Sequence, residues 1–158
     1  MKKSRIMVIL SGLGLVVFMA ALIWSQYYPD VPMERIAAAL AEQPGIAGMR
    51  AEDASGLRRY YSIDSAETEG FVFFRSNSIM SADELLVVRA KDHEKALLYL
   101  ESARKRLGEV TENFENYGAE EMTKIESAIC EVRGKYLIFA VSDNASDWER
   151  DILGEIKK

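Results

Sequence analysis

Histidine and cysteine, two residue types that commonly take part in catalysis and metal binding, each occur once in this chain. His93 is the only histidine and Cys130 the only cysteine among 158 residues. A zinc site or a catalytic triad needs several ligands, or a nucleophile paired with a base, so neither residue forms one by itself. We predict that His93 lies on the surface beside the helix cap Asp92. We predict that Cys130 is a small buried side chain in a strand, and no internal disulfide can form.

Carboxylates are the densest group of potentially reactive side chains. Paired carboxylates can bind calcium or cleave glycosidic bonds. Acidic residues around an exposed helix are more often a solvated face, and the sequence has no Asp-rich calcium loop. It also has no Gly-x-Ser-x-Gly elbow, phosphate-binding glycine loop or dinucleotide fingerprint. We therefore predict no catalytic, cofactor-binding or metal-binding residue. The carboxylates in question cluster around the end of a predicted long helix: Glu109, Glu112, Glu115, Glu120 and Glu121.

Positive charge is concentrated in Arg104-Lys105-Arg106, which we place on the exposed side of the same helix. Such a patch could meet an anionic cell-surface polymer. Residues 30–158 carry 17 basic and 25 acidic residues, a net charge of −8. That charge argues against binding to nucleic acid or to anionic lipid headgroups. Asn144-Ala145-Ser146 matches a glycosylation acceptor, which has meaning only in a eukaryotic protein.

The apolar run from Ile6 to Trp24 contains no charged residue. At about 1.5 Å per residue it is long enough, as a helix, for a hydrocarbon core of about 30 Å. Basic residues before the run predict a cytoplasmic tail over 1–5, a transmembrane anchor over 6–24 and a linker over 25–31. Residues 32–158 are then one extracytoplasmic domain at the cell membrane. A cleaved signal peptide is the alternative, but the run is long and lacks a clear small-x-small site.

The first half of this domain predicts two short helices and two strands. The first helix begins at Pro32 and ends before Pro44-Gly45. The second helix follows the cap Asp53 and runs through Tyr61. A strand over 58–63 is the alternative to this second helix. The apolar runs 71–74 and 85–88 predict an antiparallel pair of strands.

A long helix gives the strongest periodic signal. Apolar residues spaced by three and four form one stripe, which predicts a helix that lies on a sheet, with a coiled coil as the alternative. We expect it to begin after Asp92 and to end at Gly118. The stripe consists of Ala96, Leu100, Ala103, Leu107, Val110, Phe114 and Tyr117.

The last part of the chain predicts a short helix over 119–125, strands over 128–132 and 136–141, and a final helix behind the capping box 146–149. Six consecutive apolar residues over 136–141 favour a central strand covered on both faces. The fold class is therefore α+β. An N-terminal transmembrane helix precedes one domain, in which a four-stranded antiparallel sheet packs against a long helix and shorter helices.

The stretch from Met80 to Ala140 resembles a bacterial family of unknown function, the family numbered 4358. The similar segments are 80–92, 114–118, 128–131 and 134–136. The resemblance implies an exported bacterial protein of the cell envelope. It brings no assigned activity and no catalytic residue. Many members are lipoproteins, whereas this chain has no cysteine after its apolar run to carry a lipid.

Three functions remain open at this point. The leading hypothesis is a non-enzymatic membrane-anchored module that binds a membrane protein, a cell-envelope protein or a surface polymer. The second is an envelope-modifying enzyme that uses carboxylates. The third is a small-ligand sensor with a pocket between the long helix and the sheet, lined by Tyr60, Tyr61, Phe71, Phe73, Phe114, Tyr117 and Tyr136.

Overall fold

The computed structural model describes residues 12–22, 28–116 and 118–157. Helices and strands follow one another with short connections, and 3-10 turns lie over Ile46–Gly48 and Ser65–Glu67. The helices are α1 (12–22), α2 (Met33–Ala41), α3 (Ala54–Tyr61), α4 (His93–Phe114), α5 (Ala119–Glu126) and α6 (Ala145–Ile156). The strands are β1 (Met49–Ala51), β2 (Phe71–Ser76), β3 (Glu84–Arg89), β4 (Ile129–Arg133) and β5 (Tyr136–Val141).

The strands form one antiparallel sheet in the order β1-β2-β3-β5-β4. The α+β class agrees with the sequence prediction, but the predicted number of four strands is wrong. The additional strand, β1, pairs with β2 at the edge of the sheet, with Met49 opposite Ser76. A strand of three residues is too short to show an alternation of apolar and polar positions, so the sequence pattern did not reveal it.

The predicted transmembrane helix is also wrong for the part of the chain that the structure describes. Within residues 12–22, 28–116 and 118–157, no helix combines the length and the apolar character needed to cross a bilayer. Of the predicted anchor, the structure describes residues 12–22, which are helical. Residues 6–11 and 23–24 of the predicted anchor lie outside the described residues. The domain boundaries and the location at the cell membrane stay predictions.

Helices cover both faces of the sheet. On one face, α3, α4 and α5 enclose a core that includes Leu86 and Val88 of β3. On the other face, α2 and α6 enclose a second core that includes Leu85 and Val87. Alternate residues of a strand point to opposite faces, which is why one strand serves both cores. All six residues of β5 are buried, as their apolar run predicted, although β3 is the middle strand.

The long helix confirms the prediction from periodicity. Ala96, Leu100, Ala103 and Val110 of the stripe are buried against the sheet, and Leu107 and Phe114 pack beside them; Tyr117 lies outside the described residues. The carboxylate of Asp92 caps the helix by accepting from the backbone N–H of Lys95 at 2.7 Å. The predicted end at Gly118 is wrong, because α4 ends at Phe114 and Gly118 instead precedes α5.

The helix caps show which local signals were reliable. Asp53 accepts from the backbone N–H groups of Ser55 and Gly56, so the helical alternative for this segment is confirmed. The capping box predicted at 146–149 is wrong, because the N-cap of α6 is Asn144, two residues before Ser146, and the helix has no side-chain cap.

Candidate functional site

A cavity of about 370 Å³ opens at the end of the sheet where β3 begins. We call it the polar cavity. Its walls are the last turns of α4, the loop over 77–83 that joins β2 to β3, and Tyr60 of α3. The lining residues are Tyr60, Arg75, Ser76, Ser78, Ile79, Ser81, Ala82, Asp83, Glu84, Arg106, Val110, Asn113 and Phe114.

Glu84, the first residue of β3, forms the floor of the polar cavity and is 2% exposed. Its Oε1 accepts from the Tyr61 hydroxyl at 2.5 Å and from Nε of Arg106 at 3.0 Å. Its Oε2 accepts from Nη2 of Arg106 at 2.7 Å. The two bonds from Arg106 are a bidentate pairing, the strongest geometry between these two groups. Both oxygens are thus held by charged or hydroxyl donors, and the buried carboxylate is rigidly placed.

Arg75 brings a second guanidinium to the polar cavity. Its planar group stacks on Tyr60, with 3.9 Å between Cζ and the ring centroid, while Cζ of Arg106 lies 5.0 Å from the same centroid. Stacking on an aromatic face stabilises a cation and fixes its orientation. Nε of Arg75 lies 3.4 Å from Oε2 of Glu84, a longer contact than either bond from Arg106.

Strand pairing explains why these charges meet. Arg75 of β2 is directly opposite Glu84 of β3, and Arg50 of β1 is directly opposite Arg75. Residues that face each other on paired strands project from the same face of the sheet. The row lies at the end of the sheet beyond the core residues Phe73 and Leu86, on the face that α4 covers. Arg106 reaches Glu84 from that helix.

Glu52 extends the same row of charges. Its Oε1 lies 2.5 Å from Nη2 of Arg50 and 3.4 Å from Nη1 of Arg75. Three arginines, at positions 50, 75 and 106, thus surround the two carboxylates of Glu52 and Glu84. The shortest ion pairs of the two carboxylates are with Arg50 at 2.5 Å and with Arg106 at 2.7 Å.

Tyr61 serves as a hydrogen-bond donor in this cluster. The pKa of its hydroxyl is raised well above the usual value, first because burial penalises the phenolate and second because the Glu84 carboxylate lies beside it. The hydroxyl therefore keeps its proton at neutral pH.

The residues that the sequence singled out lie elsewhere or have other partners. Nδ1 of His93 is 2.6 Å from the carbonyl oxygen of Gly134, on the surface. Cys130 is half-buried, and burial raises the pKa of its thiol. A thiol with a raised pKa is a poor nucleophile at neutral pH.

The predicted basic patch is not brought together as a surface. Arg104 and Lys105 are exposed, and they lie 2.7 Å from Glu101 and 3.9 Å from Glu109. Arg106 is buried on Glu84. The side chains of the predicted patch therefore point in different directions and have separate partners.

The predicted carboxylate cluster is dispersed too. Oε2 of Glu121 accepts from the backbone N–H of Ala82 at 2.7 Å, and its Oε1 accepts from Lys124 at 2.9 Å. Glu112, Glu115 and Glu120 are exposed. Within the described ranges, no group of three or more histidine, cysteine or acidic side chains has the arrangement of a metal site.

The aromatic residues proposed for a sensor pocket divide into two sets. Tyr60 and Phe114 line the polar cavity. Tyr61, Phe73 and Tyr136 are buried core residues, and Phe71 packs beside the first core. The predicted position between the long helix and the sheet is close to the observed cavity, but most of the cavity's lining is polar.

Sequence reasoning did not identify the Glu84 cluster, although one signal pointed to it. Arg106 follows Ala103 by three positions and precedes Val110 by four, so it shares the buried stripe of α4. A charged residue on the apolar face of a helix requires a buried partner. That partner, Glu84, is distant in sequence and is found only through the fold.

A separate pair of carboxyl groups, Glu131 on β4 and Glu149 on α6, predicts a dependence of stability on pH. Burial raises the pKa of Glu149, and the nearby Glu131 raises it further against the opposing effect of Arg133. A raised pKa in the folded state favours the protonated form, so this contribution to stability is lost as pH rises through the folded pKa. Glu149→Gln removes the titrating group, and we expect it to gain stability over the original chain as pH rises from about 4.5 to about 7.

Urea unfolding of both proteins across this pH range measures the difference. The free energy of unfolding of the Gln variant, minus that of the original chain, should increase with pH. A difference that stays constant would show that Glu149 does not titrate in this way.

Taken together, the fold and the site define an α+β domain with a charged cavity at the end of its sheet. A family model described as "Domain of unknown function (DUF4358)" matches residues 46–142, and the chain belongs to this family. The match covers all five strands and every residue that lines the polar cavity, and it leaves out α2 and α6. Comparisons with curated proteins and with solved structures gave no match.

Proposed function

We propose that this chain is a non-enzymatic recognition module that binds a protein of the cell envelope through the polar cavity and its rim. The observation that carries the proposal is the rigid, fully paired floor of the cavity. A preformed site loses little freedom when a partner group enters it, and this favours binding. The location outside the cytoplasm and the nature of the partner are predictions from the sequence.

The rim of the polar cavity supports binding by a protein. Ile79 is 91% exposed and Met80 is 55% exposed, side by side at the tip of the loop over 77–83. Methionine and arginine are enriched in protein interfaces, and this rim combines Met80 with the nearby Arg75. A partner could cover these two residues while it places a polar group in the cavity.

The pairing of Glu84 argues against the alternative of a carboxylate-based enzyme at this site. A general acid or base must exchange a proton with a substrate. Glu84 is bound by Tyr61 and by both donors of the Arg106 fork, so neither oxygen is open to a substrate. Its neighbour Asp83 accepts from the Ser81 hydroxyl at 3.0 Å and lies 3.5 Å from Nζ of Lys124.

Photo-crosslinking in the native cells tests the proposed function. We expect a benzophenone amino acid in place of Ile79 to form a discrete adduct that protease digestion removes, because the side chain at the rim contacts the partner. The adducts are separated by electrophoresis and identified by mass spectrometry.

The matched control carries the same photoreactive group in place of Leu98, which is 62% exposed on α4. Leu98 does not line the polar cavity. Equal adducts from both positions, or no adduct from position 79, would contradict the proposal. An adduct that resists protease but is degraded by glycosidases would replace the protein partner with a polymer.

A further inference from the structure

We propose that the polar cavity binds an oxyanion, the carboxylate or phosphate group of a ligand, and that Arg75 is the residue that holds it. This inference rests on the proposed function, because it names the chemical class of the group that a partner places in the cavity. Three observations support it: the balance of charge in the row that contains Arg75, the weak existing contacts of Arg75, and the donors on the loop over 77–83 and on Ser76.

The row of charges across the end of the sheet contains one more cation than anions. Arg50, Arg75 and Arg106 face only two carboxylates. Glu109 lies 3.7 Å from Nη1 of Arg106, but it also lies 3.9 Å from Nζ of Lys105. Glu109 and Lys105 together therefore add no net charge to the row. The surplus is confined to this row, because the neighbouring Asp83 shares the single cation Lys124 with Glu121 and Asp143, and the chain is acidic as a whole.

Arg75 carries this surplus. Its contacts with Glu52 and Glu84 are both 3.4 Å long, beyond the usual length of a charge-assisted hydrogen bond. Its side chain remains 22% exposed at the cavity wall, compared with 10% for Arg106. The ring of Tyr60 nevertheless holds its guanidinium in place. An oriented guanidinium with weak partners is suited to a bidentate contact with an oxyanion.

The loop over 77–83 and the residue before it supply hydroxyl donors. Oγ of Ser76 accepts from the backbone N–H of Ser78, and Oγ of Ser78 accepts from the backbone N–H of Met80, each at 3.1 Å. A hydroxyl whose oxygen already accepts a bond still has its hydrogen to donate. Both serines line the polar cavity, and the amide of Asn113 adds a further donor.

The Glu84 carboxylate and one oxygen of Asp83 already have hydrogen-bond partners. Glu84 is bound by Arg106 and Tyr61. Oδ2 of Asp83 accepts from Ser81, whereas its buried Oδ1 has no hydrogen bond within the described residues and lies 3.5 Å from Nζ of Lys124, which also pairs with Glu121 and Asp143. A ligand group that enters beside Arg75 therefore meets a cation and the hydroxyl groups of Ser76 and Ser78, and these match an acceptor that carries negative charge.

Titration of the full chain, followed by ¹H–¹⁵N NMR, tests the inference. The probes are inorganic phosphate and succinate, with chloride at matched ionic strength as the control. We expect phosphate, succinate or both to shift the backbone amides of Ser76, Ser78 and Asn113, with chloride giving no such shift. A response to one probe alone identifies that oxyanion as the favoured source.

Variants assign the binding to Arg75. Arg75→Gln should weaken binding of the active probe by about tenfold or more, because it removes a charge-assisted bidentate contact. Arg59→Gln removes the same charge from an exposed position next to Tyr60 and should leave the affinity unchanged. If Arg75→Gln does not fold, Ser78→Ala at the exposed loop decides the question, with an expected loss of about threefold to tenfold.

The inference is overturned if neither probe shifts these amides, if chloride shifts them equally, or if both Arg75→Gln and Ser78→Ala leave the affinity unchanged. Such a result is separable from failure of the proposed function. A protein adduct at position 79 without oxyanion binding would keep the recognition module and remove its ligand class. Oxyanion binding without any adduct would keep the ligand class and remove the proposed binding of a protein at the rim.

Discussion

Replacement of Arg106 by methionine is expected to lower the free energy of unfolding by about 3–5 kcal/mol, as is usual when one partner of a buried ion pair is removed. Arg106 is almost fully buried, and its guanidinium donates twice to Glu84. Methionine fills part of the space but leaves the Glu84 carboxylate buried with only Tyr61 and the more distant Arg75 as donors. Urea unfolding at neutral pH measures the loss.

A control on the same helix separates this effect from the loss of any surface arginine. Arg104 is exposed and pairs with Glu101 at 2.7 Å, so Arg104→Met should change stability by less than about 0.5 kcal/mol. The double variant Glu84→Gln with Arg106→Met should be more stable than Arg106→Met alone, because the unpaired buried charge is gone. Equal losses from Arg106→Met and Arg104→Met would show that the pair contributes little.

The elements that the sequence predicted well are those whose signals are local. The stripe of α4 repeats along one helix, and the caps at Asp53 and Asp92 act within three residues of their own position. The run over 136–141 is buried because it lies inside a sheet that is covered on both faces. Each of these features leaves a signal in residues that are close in sequence, so periodicity and propensity were sufficient to predict it.

The polar cavity depends on contacts that no local pattern contains. Glu84 meets Tyr61 from 23 positions earlier and Arg106 from 22 positions later. Taken singly, these are ordinary residues of a strand and two helices. The prediction placed Arg106 in an exposed basic patch because it treated three neighbouring charges as one surface. On a helix, neighbours in sequence point in different directions, and only Arg106 lies toward the sheet.

The missed edge strand has a direct consequence for the site. Met49–Ala51 pairs with β2 and places Arg50 opposite Arg75. Glu52 directly follows this strand, so the pairing of β1 with β2 also places Glu52 beside Arg50 and Arg75. Because β1 is too short to be recognised in the sequence, the place of Arg50 in the row of three arginines could not be predicted either.

Replacement of Trp148 by alanine is expected to cost about 3–5 kcal/mol of stability, the usual loss when a large buried aromatic side chain is removed. Trp148 of α6 is fully buried in the second core, and its Nε1 donates to the carbonyl oxygen of Pro44 at 3.0 Å. The substitution leaves a cavity and an unpaired carbonyl at the turn after α2. Thermal and urea unfolding measure the loss.

Trp148→Phe is the matched control. It keeps an aromatic ring in the core and loses mainly the bond to Pro44, so its cost should be clearly smaller than that of Trp148→Ala. Because α6 lies outside the residues that the family model matches, the result also shows how far the cores of this domain extend. A loss below about 1 kcal/mol for Trp148→Ala would mean that α6 is not required to cover the sheet, since core truncations of this size cost several times more.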